Sequence, residues 1–236
     1  MSDTIVVVPT YNERENIGPL VDAIETSGVD CDILVVDDNS PDGTGQLVDD
    51  LARTHPRLSA LHRPGRGGLG SAYVEGFRRV LQQGYRHVVS MDADLSHDPR
   101  YLPAMIAATS DHDLVVGSRY MTGVCVVNWP IWRLVLSVGA NTYARVITGL
   151  SLRDCTSGFQ CFRAEALRAL SLDAIRSNGY SFLIELKYRA HRAGFRLGEV
   201  PIVFVDRRIG ISKITRREIY ASILTVWKLR LGWYRT

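Results

Sequence analysis

Nothing in these 236 residues is apolar for long enough to cross a bilayer. A spanning helix needs about 18–20 nearly uninterrupted apolar residues, and the richest stretch, 131–150, is broken by Arg133, Asn141 and Arg145. Cysteine is scarce: Cys31, Cys125, Cys155 and Cys161 form no C-x-x-C pair and no metal-ligand spacing. That excludes a zinc module or a disulfide scaffold and leaves free thiols in a reducing cytoplasm as the expectation. The N-terminus has only four apolar residues, 5–8, before Pro9, too few for a secretory leader. Internal repeats and low-complexity segments are missing too, which argues against a solenoid or a disordered tether. With 46% hydrophobic and 22% charged residues, the chain has enough apolar mass for one sizeable core.

Net charge is also small, but it is unevenly spread. Of 28 Lys and Arg and 25 acids, residues 207–236 hold eight cations against Glu218 alone, which leaves 20 cations and 24 acids in the first 206 residues. A basic tail on a mildly acidic body points to an anionic surface or ligand near the C-terminus. No nucleic-acid-binding motif accompanies it, so phosphate or lipid headgroups are expected rather than nucleic acid. Within 215–231, Tyr220, Leu224, Trp227 and Leu231 recur at helical spacing with Arg and Lys on other faces, the pattern of an amphipathic helix.

Apolar runs at 4–8, 32–36, 58–61, 86–91 and 113–117 read as strands, with helices at 71–81 and, capped by Asp98, at 99–108. Asn12 and Glu15 suit a capping box opening a helix after the first strand, and Ser40-Pro41 suits a cap and first helical position after the second. Strands apolar on both faces and alternating with helices indicate an α/β fold with a mostly parallel, Rossmann-like central sheet. Beyond residue 120 the pattern gives a loop at 121–128, a helix at 130–148, a strand at 159–162, a helix at 181–193 and a strand at 198–205.

Ligands of such sheets bind at the carboxyl ends of the strands, and three of those ends carry unusual chemistry. Met91-Asp92-Ala93-Asp94 follows one strand, and on an extended segment alternation would turn both carboxylates to one side, where they could share a hard divalent cation. Pro9-Thr10-Tyr11-Asn12-Glu13 and Val36-Asp37-Asp38 end two others. Carboxylates gathered on one sheet edge repel unless a cation or hydrogen-bond donors are shared among them, and a nucleotide with its metal supplies both. Gly65-Arg66-Gly67-Gly68-Leu69-Gly70 also matches the dinucleotide fingerprint G-x-G-x-x-G, with Asp92 about twenty residues on. It follows the third strand rather than the first, however, so an NAD-dependent oxidoreductase is the remote alternative.

Together with Val35-Val36-Asp37-Asp38-Asn39-Ser40-Pro41-Asp42-Gly43-Thr44, Gly68-Leu69-Gly70-Ser71-Ala72-Tyr73, Gly117-Ser118-Arg119-Tyr120, Asp154-Cys155-Thr156-Ser157-Gly158-Phe159 and the segment from Glu199 to Lys213, these motifs resemble the family 2 inverting glycosyltransferases of GT-A fold. More narrowly they resemble polyprenol (dolichyl) phosphate mannose synthases. The resemblance implies transfer of mannose from GDP-mannose to a polyprenyl phosphate, with glucose transfer from UDP-glucose as the alternative. It implies that Pro9, Tyr11, Glu13, Val36 and Asp38 hold the nucleoside, that Ala93 and Ser96 lie against the donor, and that Asp92 and Asp94 bind Mg²⁺ or Mn²⁺. Arg119, Arg133, Arg207 and Lys213 are implied as phosphate-binding groups, with Ser212 beside the acceptor phosphate. Arg66-Gly67 stands where relatives often have Lys and an apolar residue, and Ser96 where others have Gln. One catalytic domain, 1–236, would then divide into a nucleotide-sugar half (1–120), an acceptor half (121–213) and a basic amphipathic helix (214–236). It would sit peripherally on the cytoplasmic face of a membrane.

Overall fold

The apolar runs at 4–8 and 32–36 fold as strands buried on both faces: every residue of β1 (Thr4–Thr10) and all but one of β2 (Cys31–Asp37) is buried. In this computed structural model, which describes residues 2–177, 179–206 and 216–233, they are followed by β3 (Leu58–His62), β4 (His87–Ser90) and β5 (Leu114–Ser118). The helices between them are α1 (Arg14–Glu25), α2 (Thr44–Ala52), α3 (Leu69–Leu81) and α4 (Leu102–Ala107), the last entered through a 3₁₀ turn at Pro99–Tyr101. The second half adds β6 (Val126–Val127), α5 (Ile131–Thr148), β7 (Gln160–Arg163), α6 (Ala164–Ala169), α7 (Tyr180–Arg192), β8 (Leu197–Pro201), β9 (Phe204–Val205) and α8 (Arg216–Arg230).

Seven strands form one sheet in the order β3-β2-β1-β4-β7-β5-β8, parallel except for β7, which runs antiparallel to both neighbours. Alternation divides the strands between two apolar layers. Ile5, Val7, Leu34, Val36 and Val88 face α3 and α7, while Val6, Val8, Ile33, Val35 and Val89 face α1 and α4. Helix α3 lies unusually close to the sheet because residue 76 is glycine: a Cβ there would fall 2.7 Å from Val7 Cγ1 and 2.9 Å from Val36 Cγ2.

Several local expectations need correction. Helix α1 begins after Glu13 with no side-chain cap, and Asn12 is held at φ 57°, so the Asn12–Glu15 capping box does not form. Helix α2 begins only at Thr44, after a left-handed Gly43. The Ser40 hydroxyl instead donates to Asp37 Oδ1 at 2.5 Å and accepts the Asn12 N–H at 3.1 Å, which ties two strand ends together. Asp98 does cap its turn, accepting the Arg100 N–H at 2.9 Å. The expected strand 198–205 is two strands: Pro201 ends β8, and the chain crosses to pair β9 with β6 in a small parallel ribbon. Helix α8 packs on α5 and α7 through Val226 and Leu229, while Leu224, Trp227 and Leu231 of the expected apolar stripe face outward.

Candidate active site

Because β2, β1 and β4 are consecutive in the sheet, their carboxyl ends lie side by side. Each chain leaves its strand through a residue with left-handed backbone: Asn12 (φ 57°), Asn39 (φ 58°) and Leu95 (φ 59°). Asparagine tolerates that conformation, leucine poorly, and strain of this kind persists where surrounding structure fixes it. Asp92 and Asp94 stand on the turn after β4, not on the strand itself, so the turn rather than strand alternation sets their relation.

Each carboxylate is oriented by named donors. The buried Tyr73 hydroxyl of α3 donates to Asp92 Oδ1 at 3.2 Å. Burial and the Asp92 charge push the Tyr73 pKa well up, so it acts as a permanent donor. His97 Nδ1 accepts the Asp92 N–H at 3.1 Å, which places the ring proton on Nε2, 4.0 Å from Asp92 Oδ2. Asp94 is buried, and its Oδ1 accepts the Ser96 hydroxyl at 2.5 Å and the Ser96 N–H at 3.1 Å. The Asp92 side chain is 36% exposed, and so can be reached from solvent. Among the described residues no cluster of three or more His, Cys, Asp or Glu could hold a metal. Two oxygen ligands fit Mg²⁺ or Mn²⁺ completed by phosphate and water, and do not fit an all-protein zinc site.

At the neighbouring ends, Pro9 and Val36 are buried strand residues, and Glu13 accepts from the Asn16 amide at 2.8 Å. Asp38 is 3% exposed; it pairs with Arg63 and accepts the Gly67 and Gly68 N–H groups at 2.9 and 2.7 Å. The glycine loop is thus folded onto the end of β2, and its Arg66 lies over the Tyr11 ring at 4.0 Å. Ala93 and Ser96 are buried beside the acidic pair.

Arg119, just past β5, is nearly buried and forms a fork on Asp154, with Nε and Nη2 each 2.7 Å from a carboxylate oxygen; Nη2 also reaches Thr156 at 2.7 Å. Burial pushes the Asp154 carboxyl up, but the Arg119 charge and its hydrogen bonds outweigh this and hold it below the ordinary aspartate value. Arg133 Nη1 donates to Asp206 at 2.6 Å, and the Arg133 guanidinium carbon lies 4.2 Å from the centre of the Trp129 ring, which that of Arg119 approaches at 5.6 Å. Phe204 packs edge-on against both Trp129 and His97. This aromatic chain brings the two arginines to the acidic turn. The buried Trp129 indole N–H has no partner among the described residues. Arg207, Ser212 and Lys213 lie outside the described residues.

The sequence alone assigns no role to Tyr73, His97 or Asp154, and Trp129, which suits a core or a bilayer interface by its sequence, instead packs against Arg133 and Phe204. Asp154 and Tyr73 stand within quoted motifs, but their partners are 35 and 19 residues away.

Residues 5–171 match Glycosyl transferase family 2. The polyprenol monophosphomannose synthase of Mycolicibacterium smegmatis is 45% identical over 231 residues, covering 96% of this chain and 87% of that protein. The undecaprenyl-phosphate mannosyltransferase of Micrococcus luteus is 44% identical over 97% of this chain and 95% of its own. Among solved structures, the glucosyl-3-phosphoglycerate synthase of Mycobacterium tuberculosis, in complex with Mn²⁺, UDP and its product, superposes with a TM-score of 0.69 at 20% identity, covering 98% of this chain and 80% of the other. A mannosyltransferase of Pyrobaculum calidifontis, in complex with GDP-Man and Mn²⁺, gives 0.60 at 20% identity, covering 99% and 72%. The shared architecture and the length of the match agree: the chain is a glycosyltransferase and belongs to glycosyl transferase family 2.

Proposed function

We propose that this enzyme transfers mannose from GDP-mannose to the phosphate of a polyprenol, with inversion at the anomeric carbon. The observation that carries the reading is the acidic turn beside the ends of β1 and β2, joined through Phe204 and Trp129 to two arginines. One end of this arrangement suits a metal-bound diphosphate and the other a second phosphate. The names of the relatives from M. smegmatis and M. luteus support the sugar and the lipid, and the P. calidifontis complex supports GDP-mannose with a divalent cation.

In this reading the ends of β1 and β2, with Pro9, Tyr11, Glu13, Val36 and Asp38, receive the nucleoside. Asp92 and Asp94 hold Mg²⁺ or Mn²⁺, oriented by Tyr73, His97 and Ser96. When bound, the cation supplies Lewis-acid neutralisation of charge developing on the departing diphosphate. A phosphate monoester has a second pKa near ~6, so the acceptor oxygen is already largely anionic at neutral pH and needs no strong base. It needs placement and charge compensation, which Arg119, held in position by its fork on Asp154, and Arg133 supply as cations, together with Arg207, Ser212 and Lys213. The division into donor half, acceptor half and basic tail follows the same assignment.

The lipid tail of the acceptor implies work at a membrane surface, and the outward side chains of α5, α8 and the turn after α8 are the contact. Ile131, Trp132, Val135, Val146, Leu224, Leu231 and Trp233 are all exposed, with Arg145 and Arg230 exposed alongside. Exposed apolar side chains with basic neighbours on two packed helices fit an interface with anionic lipid; we assign the cytoplasmic leaflet. The test is incubation with polyprenyl phosphate, Mg²⁺ or Mn²⁺, and radiolabelled GDP-mannose or UDP-glucose. Label from GDP-mannose in the organic phase is expected; label from UDP-glucose alone would overturn the donor, and none from either would overturn the reaction.

A further inference from the structure

Helix α7 carries a lysine that the proposed reaction does not use. Lys187 is fully buried, and its ammonium meets no carboxylate at salt-bridge distance among the described residues. It donates instead to the Ser157 carbonyl at 2.7 Å and to the Leu183 carbonyl, one turn back on its own helix, at 3.3 Å. A buried charge costs stability unless it is paired and hydrogen-bonded, and this one has only carbonyl acceptors among its hydrogen bonds, so what it holds matters.

It holds the loop 153–158, which links the two ends of the site. At one end of the loop, Asp154 forms the fork with Arg119. At the other, Gly158 backs the acidic turn: a Cβ there would stand 3.4 Å from Asp92 Oδ1, 3.6 Å from Asp92 Oδ2 and 3.4 Å from His97 Cε1. The carbonyls of Ser157 and Gly158 are each held by a buried donor. Lys187 takes the Ser157 carbonyl, and the buried Ser90 hydroxyl at the end of β4 donates to the Gly158 carbonyl at 2.7 Å. Ser90 is two residues before Asp92, so β4 and α7 meet through this loop directly behind the carboxylate.

We infer that Lys187 and Ser90 are positioning residues that clamp the 157–158 backbone as the wall behind Asp92, and thereby set the affinity of the acidic turn for its divalent cation. The inference rests on the reading of Asp92 as a metal ligand. Neither residue touches the cation or the substrates; they act through Gly158, as partners behind a metal-binding side chain commonly do.

The test is Mn²⁺-dependent binding of GDP, with UDP in parallel, followed by calorimetry on the full chain, wild type, Lys187→Met and Ser90→Ala. Methionine matches the aliphatic stem of lysine without the charge, and alanine removes only a hydroxyl. The expected result is a rise of about 10- to 100-fold in half-saturating Mn²⁺ in both variants, with nucleotide affinity at saturating Mn²⁺ recovered and unfolding still cooperative. A merely structural role would lower the melting temperature and leave half-saturating Mn²⁺ unmoved, and that result overturns the clamp. If Lys187→Met does not fold, Ser90→Ala decides by the same measurement. A wild type that binds neither nucleotide in a metal-dependent way overturns the functional reading and the clamp with it; normal wild-type binding with unshifted variants overturns the clamp alone.

Discussion

Asp92 shows how a local motif acquires its geometry from distant side chains. Its Oδ1 takes the hydroxyl of Tyr73, whose ring stacks with those of Phe77 and Phe182 at centroid distances of 5.5 and 5.8 Å. Tyr73→Phe keeps both stacks and removes one hydrogen bond to a charged group, about 1.5–3 kcal/mol in general. The expected outcome is a native fold whose melting temperature falls by several degrees, with a raised Mn²⁺ requirement in the transfer assay. An unchanged requirement would separate Tyr73 from the metal. Asp94→Ala should abolish metal-dependent turnover while circular dichroism stays native. Arg119→Lys is the sharper case, because lysine keeps the charge but not the fork that reaches two Asp154 oxygens and Thr156. Transfer should fall steeply. A buried pair stripped of one partner loses about 3–5 kcal/mol, so Arg119→Ala should lower the melting temperature as well, and a variant with wild-type stability and rate would contradict both roles.

At the scale of elements, α5 and α8 present apolar surface outward. Helix α8 is nevertheless anchored, since Val226 and Leu229 are buried in the core while Leu224, Trp227 and Leu231 are not. The two faces predict opposite phenotypes. Leu229→Ala should cost about 2–5 kcal/mol, as large-to-small core changes do, read by denaturant unfolding. Trp132→Ser with Val135→Ser should leave stability within error and weaken sedimentation with anionic liposomes at low salt; unchanged sedimentation would move the membrane contact elsewhere. Which elements exist was legible from the chain, because apolar runs and helical periodicity are local. The convergence of Asp38, Asp92 and Tyr11 was legible too, since parallel strands place successive carboxyl ends on one edge. What escaped was set by partners far along the chain. Ser40 looked like a helix cap until Asp37 claimed its hydroxyl, the apolar stripe of α8 gave no sign of which side packs on α5, and nothing near residue 160 marked β7 as antiparallel.

For the whole molecule, the buried ions behind the site tie stability to pH in a testable way. Burial pushes the Lys187 pKa down to about 8, against the favourable charges of Asp154 and Glu199 and with Arg119 nearby. The unfolded chain keeps the ordinary value of 10.5. Below about 8 the lysine is protonated in both states, and the native state bears the full cost of a buried charge. Between about 8 and 10.5 the unfolded state binds the extra proton, so this group makes stability rise with pH across that window. Asp154 acts at the other end: its folded pKa is depressed, so its contribution is present above the unfolded 3.8 and is lost as pH falls through the folded value. Thermal unfolding of wild type and Lys187→Met from pH 7 to 10 isolates the first effect, because other titrations are common to both. The wild-type melting temperature should gain on the variant as pH passes 8 and continue to gain towards 10. A constant difference across the series would mean that Lys187 stays protonated in the fold, held by the Ser157 carbonyl and the charge of Asp154.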